Sequence, residues 1–175
     1  MSLPKFDTVL SESDLMARID DLAERLAPRL QGEWTAINIL IGATPFTSDL
    51  MKALARRDVH PVLDALWLES YRDARESSGR VVVRADIARQ VRDRGVLIID
   101  DVFDTGRTLS FARTHMLAKG AREVITCALA RKPWAPDGDE NVDFHAFDAP
   151  PRYLVGYGMD DAGKYRGLPY IAALD

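Results

Sequence analysis

An α/β fold, with a mainly parallel central sheet flanked by helices, is what this sequence predicts, and three observations predict it. Strand-like apolar runs alternate along the chain with segments whose apolar residues recur at helical spacing. Val96-Leu97-Ile98-Ile99 is an unbroken run of branched apolar residues, as a parallel strand needs when both of its faces are covered. Finally, 175 residues with 47% hydrophobic content suffice for a substantial core in one compact domain.

The elements follow in order. Ser11 with Asp14 resembles a helix-capping signature. Leu15, Ile19, Leu22, Leu26 and Leu30 then repeat at helical spacing, which predicts an amphipathic helix over 12–30. Ala36 to Ile41 reads as a strand ending at Gly42, Ser48 to Arg57 as a helix, and Pro61 to Leu68 as another strand. The polar run Tyr71 to Arg80 (YRDARESSGR) reads as an exposed, mobile loop. Val81-Val82-Val83 is a short strand and Ala85 to Arg94 a short helix. A strand over 95–99, a helix over 109–118 and a strand over 122–130 come next. A loop with Pro133, Pro136 and Gly138 leads to strands over 142–147 and 153–157, and Tyr170 to Leu174 closes the series. The pattern contains no internal repeat, low-complexity tract or linker.

Composition excludes several function classes. With 23 basic and 27 acidic residues the formal charge is −4, which argues against broad nucleic-acid or membrane-surface binding. Cys127 is the only cysteine, so no internal disulfide forms, and its apolar setting (Val124 to Leu129) reads as a buried thiol. Met1 to Lys5 lacks a signal-peptide core, and no apolar run approaches ~20 residues. A soluble, cytoplasmic protein is therefore expected. His60, His115 and His145 are scattered without metal-ligand spacing. No GxxxxGK[ST] loop is present, and Gly156-x-Gly158 lacks the third glycine of a dinucleotide fingerprint.

The chemistry concentrates after the run Val96–Ile99. Two adjacent carboxylates, Asp100 and Asp101, stand where that strand should emerge, and Asp104-Thr105-Gly106-Arg107-Thr108 bends into the next helix. Backbone N–H groups of such a turn and helix start bind phosphate, while carboxylates accept hydrogen bonds from hydroxyls. A phosphorylated sugar is the natural occupant. In parallel sheets ligands bind beyond the carboxyl ends of the strands, so Gly42 and the acid pair share one crevice on this reading.

This motif resembles the phosphoribosyl-pyrophosphate signature of type I phosphoribosyltransferases. The order of segments from Ile37 to Leu174 is similar to that of the hypoxanthine-guanine phosphoribosyltransferases: Ser70-Tyr71 with Ser77-Ser78-Gly79, the central signature, Ala130-Arg131-Lys132-Pro133, Val155-Gly156-Tyr157-Gly158-Met159-Asp160, and Lys164-Tyr165-Arg166-Gly167-Leu168-Pro169. The resemblance implies one phosphoribosyltransferase domain over 1–175, with a small hood built from C-terminal and N-terminal segments. It also implies Mg2+ as cofactor, phosphoribosyl pyrophosphate and 6-oxopurine bases as partners, and a homodimer or homotetramer.

It further implies roles residue by residue. Asp100 and Asp101 would hold the ribose and favour positive charge at its anomeric carbon, and with Asp160 they would be the magnesium-associated acids. Asp104 would exchange a proton with the purine imidazole ring and, read locally, is also a helix N-cap. Asp104, Thr105, Gly106, Arg107 and Thr108 would cradle the 5'-phosphate. Lys132 would donate to the 6-oxo group, rejecting adenine. Tyr153 would stack on the purine, and Leu154 would read its edge through a backbone carbonyl. Ile41, Gly42 and Arg166 fall at the pyrophosphate, and Ser70 and Tyr71 begin a lid.

The chain departs from the family pattern at Ile41, where the family carries a lysine, and at Asp100, where glutamate is more typical. The expected reaction joins hypoxanthine or guanine, with xanthine as a further substrate, to the phosphoribosyl group, giving the mononucleotide and pyrophosphate. Two alternatives stand beside it. One is an RNA-binding regulator on the same fold with uracil phosphoribosyltransferase-like activity, and the other is a nucleotide sensor without catalysis.

Overall fold

The computed structural model describes residues 6–71, 80–138 and 141–174. The order is β1 (Asp7–Leu10), α1 (Glu12–Leu26), a 3-10 turn (Ala27–Arg29), β2 (Trp34–Leu40), α2 (Thr44–Ala55), β3 (Val62–Tyr71), β4 (Arg80–Ala85), β5 (Gly95–Phe103), α3 (Arg107–Ala118), β6 (Glu123–Arg131), β7 (Phe144–Asp148), β8 (Tyr153–Val155) and β9 (Ile171–Leu174). Six strands form the main sheet in the order β4-β3-β2-β5-β6-β7, and β1-β9-β8 form a second, smaller sheet. The main sheet is parallel except where β4 pairs antiparallel with β3. The chain leaves β2 first toward β3 and later returns to β5 on the other side, so a topological switch point lies between β2 and β5. The expected α/β fold with a small hood is what forms.

Each face of the main sheet carries its own core. Leu15, Ile19, Leu22 and Leu26 of α1 pack with Phe46, Leu50 and Leu54 of α2 on one face. Leu109, Ala112 and Met116 of α3 pack with Ile37, Ile98 and Leu66 on the other. β5 is buried from Gly95 to Asp100 because it lies between the two. Each fully buried Leu or Ile contributes about 1.5–3 kcal/mol, so these stripes hold the helices to the sheet. Cys127 is buried in the first core, and burial pushes its thiol pKa up, as an inert thiol requires. No helix among the described residues is long and apolar enough to cross a membrane.

Several boundaries differ from expectation for identifiable reasons. The first helix ends at Leu26, and Pro28 turns the next residues into a 3-10 turn, although Leu30 remains buried. α2 starts at Thr44, earlier than Ser48, and Pro45 is accommodated in its first turn. The helix expected over Ala85–Arg94 does not form. Residues 86–94 are a loop whose Ala88 and Arg89 N–H groups donate to Asp64 Oδ2 at 2.9 and 2.8 Å. Asp86 binds Lys119 and His115 of the neighbouring helix end, and these contacts hold its pKa at about 2. Tyr71 and Arg80, expected as the ends of a loop, are strand residues that face each other as the last β3–β4 pair. Residues 72–79, including Ser77, Ser78 and Gly79, lie outside the described residues. β1 has no sequence expectation behind it, because its half-exposed Asp-Thr-Val-Leu forms a strand only against β9.

Leu22 is 0% exposed at the centre of the α1 stripe. Leu22→Ala is expected to cost about 2–5 kcal/mol in urea denaturation, and a loss below about 1 kcal/mol would remove this stripe from the core.

Candidate active site

The switch point between β2 and β5 gathers the acidic groups. Asp100 and Asp101 lie inside β5, not beyond it, because the strand continues to Phe103 and pairs with β6 as far as Arg131. Each carboxylate accepts a bond from the next backbone N–H, Asp101 N at 3.0 Å and Val102 N at 2.8 Å. Asp100 is buried, and burial, followed by the neighbouring Asp101 charge, raises its carboxyl well above the usual range. Neither acid forms an ion pair with a described residue.

The β2–α2 loop closes on this pair from one side. A Cβ placed on Gly42 would stand 1.9 Å from Asp101 Oδ2, so only glycine lets this backbone lie against the carboxylate. The buried Asn38 fixes the loop, donating to Thr44 Oγ1 and accepting from Thr47 Oγ1, both at 3.1 Å. Ile41, which follows a cis peptide after Leu40, is 53% exposed. From the hood, the turn at Gly158 presses on the same spot, for a Cβ there would fall 1.9 Å from the Gly42 carbonyl oxygen.

Beyond the acids the chain turns through Asp104–Gly106 into α3. Gly106, at φ 75°, is the N-cap, and no side chain caps the helix, so the first-turn N–H groups remain available to an anion. Asp104 is therefore not the expected cap. Its Oδ1 instead accepts a hydrogen bond from Trp134 Nε1. Thr105, Gly106, Arg107 and Ser110 line a groove of about 570 Å³ beside this turn.

A second cavity of about 460 Å³ lies between the ends of β5, β6 and β8, lined by Asp101, Asp104, Lys132, Trp134, Tyr153 and Leu154 among others. Lys132 is only 7% exposed. Its ammonium donates to the Arg152 carbonyl, lies 3.5 Å from the Pro150 carbonyl, and sits 5.4 Å from the Trp134 ring centroid. Burial lowers its pKa, with the Asp104 charge opposing. Tyr153 is 59% exposed and its hydroxyl donates to the Asp160 carbonyl at 2.8 Å, presenting the ring to the cavity. Leu154 is pinned opposite Ala173 of β9.

Two expected groupings are not assembled. Asp160 is engaged by Arg166 at 2.6 Å and by Gly163 N at 2.6 Å, while Arg166 also donates to the Gly158 carbonyl at 2.5 Å. Arg166 thus buttresses the hood turn, and Asp160 does not join Asp100 and Asp101 in one ligand cluster; no such cluster exists among the described residues. Ser70 and Tyr71 sit on the β3–β4 pair, opposite Val81 and Arg80. Trp134, Asn38 and Gly158 carry parts of the site that the sequence pattern does not assign. A tryptophan directly after Ala130-Arg131-Lys132-Pro133 was the one available signal.

Residues 7–162 match the family model described as the phosphoribosyl transferase domain. The chain is 34% identical over 167 residues to the hypoxanthine-guanine phosphoribosyltransferase of Bacillus subtilis (strain 168), covering 95% of this chain and 91% of that protein. The chain belongs to the hypoxanthine-guanine phosphoribosyltransferase family. It is also 35% identical to the bifunctional protein TilS/HprT of Listeria monocytogenes over 95% of this chain, yet spans only 25% of that longer protein. Among solved structures, a hypoxanthine-guanine phosphoribosyltransferase from Bacillus anthracis superposes with a TM-score of 0.89 at 30% identity, covering 99% of this chain and 100% of that one.

Asp100 carries a testable cost. In the unfolded chain it ionises near 3.8, and in the folded protein well above that. Between those values the unfolded state has released a proton that the folded state still holds, so stability falls as pH rises through this window. Asp100→Asn has no such proton. It should melt at a higher temperature than the parent at neutral pH, and the difference should close below pH 3.8, as melting curves across pH will show.

Proposed function

We propose that this protein transfers the 5-phosphoribosyl group from phosphoribosyl pyrophosphate to hypoxanthine or guanine, with xanthine as a further acceptor, releasing pyrophosphate. The observation that carries this reading is the convergence of Asp104, Lys132 and Tyr153 on one cavity that opens beside the acid pair. In that arrangement Tyr153 supplies an aromatic face, the Leu154 backbone an edge contact, and Lys132 a donor for the 6-oxo group. The Lys132 ammonium has three N–H donors, and its carbonyl partners leave room for a further acceptor. An exocyclic amino group at that place meets only another donor, so adenine is rejected.

The transfer places positive charge on the ribose as pyrophosphate leaves. Asp100 and Asp101 lie on the hydroxyl side and stabilise that charge without reorganising. Asp104 holds the proton of the imidazole ring as the ring's other nitrogen bonds to the sugar. Thr105, Gly106, Arg107 and Thr108 take the 5'-phosphate at the uncapped start of α3, and Ile41 and Gly42 face the pyrophosphate beside the hood turn that Arg166 buttresses. Ser70 and Tyr71 begin the segment that covers the reacting centre. Asp100 and Asp101 would hold magnesium, since the adjacent pair offers hard oxygen donors and has no described cation partner, whereas Asp160, expected to join them, is engaged by Arg166. When bound, the ion neutralises phosphate charge. One domain carries all of these groups, and we propose a homodimer or homotetramer as its assembly. The uracil and RNA-regulator alternative is not favoured, because Asp104 and the 153–160 segment line the same cavity and the net charge is −4.

An assay with phosphoribosyl pyrophosphate, magnesium and each of hypoxanthine, guanine, xanthine and adenine tests the proposal. Turnover of oxopurines without adenine is expected, and the reverse preference overturns it. Asp104→Asn should lower kcat by about 10²–10⁴-fold while leaving mononucleotide affinity nearly unchanged, and an unaltered kcat would remove Asp104 from proton transfer.

A further inference from the structure

Trp134 is 55% exposed and lies outside both cores, so packing does not explain a tryptophan there. Its polar and aromatic parts are nevertheless both engaged. The indole N–H donates to Asp104 Oδ1, and the ring lies beneath the Lys132 ammonium, 5.4 Å from nitrogen to centroid. One side chain therefore touches the two charged groups that the function proposed above assigns to the base.

An indole N–H only donates, so it holds Oδ1 through a lone pair. The other carboxylate oxygen, Oδ2, is left to meet the purine ring proton. The ring's negative face meanwhile favours the ammonium above it, holding Lys132 over the cavity. Lys132 is buried, and its head also donates to backbone carbonyls of Pro150 and Arg152.

We infer that Trp134 is a positioning residue for phosphoribosyl transfer, selecting which oxygen of Asp104 handles the purine proton and fixing the spacing between that oxygen and the 6-oxo donor Lys132. This rests on the base-pocket reading above. Trp134 forms no bond with the reacting atoms and acts through its two neighbours.

Two substitutions separate its parts. Trp134→Phe keeps a ring under Lys132 and removes the N–H, and is expected to lower kcat on the order of ten-fold with the oxopurine KM within about two-fold of wild type. Trp134→Ala removes both and should in addition raise the oxopurine KM several-fold. In an Asp104→Ala background, Trp134→Phe should cause no further loss of kcat, whereas a merely structural role gives the same fold-loss in both backgrounds. A readout independent of turnover is the indole ¹⁵N–¹H resonance of Trp134, assigned by its absence in Trp134→Phe, which should shift in Asp104→Ala. A resonance that does not move, a Trp134→Phe kcat equal to that of an active wild type, or equal losses in both backgrounds overturns the inference alone. A wild-type protein that transfers phosphoribosyl to no purine overturns the function proposed above and this inference with it.

Discussion

The molecule is organised around one crossing at which no side chain fits. Gly42 leaves β2 with its backbone against the Asp101 carboxylate, and Gly158 brings the hood turn against the Gly42 carbonyl, each approach leaving 1.9 Å for a Cβ. Three segments far apart in sequence are thus stacked through two glycines and one carboxylate. Tyr157 secures the same turn to α2 through its hydroxyl, which donates to Asp49 at 2.6 Å. The main sheet and the hood meet here, and the crevice between them is what remains.

That crevice is built against electrostatic preference. Two carboxylates sit side by side on a strand whose preceding residues are wholly apolar, and no described cation offsets them. A fold selected for stability alone would place a neutral group at Asp100. On the function proposed above, the acid pair meets a ligand that brings hydroxyls and develops positive charge. Two cationic residues of the region, Lys132 and Arg166, are engaged instead by backbone carbonyls and by Asp160.

The parts of the fold legible in the sequence were those with long apolar periodicity. The β5 run and the α1 stripe announce themselves because burial on two faces, or on one helical face, leaves a pattern in consecutive residues. The loop over 86–94 misleads because its composition suits a short helix, while Asp64, distant in sequence, satisfies its backbone instead. β1 is invisible for the complementary reason, since four half-exposed residues become a strand only when β9 arrives. In the site, the acids and the Thr105–Thr108 turn were singled out by their local motif, and Lys132 only by the family resemblance. Trp134 was not, because its significance lies in meeting Asp104, which is separated from it by a helix and a strand.

The hood has a temporal consequence. All six strands of the main sheet have been delivered once synthesis passes Asp148, whereas β8 finds its place only when β9 inserts between it and β1. The turn at the start of α3 can therefore assemble before Tyr153 has a strand to lean on. The side of the cavity that carries Tyr153 is thus the last to be held in place.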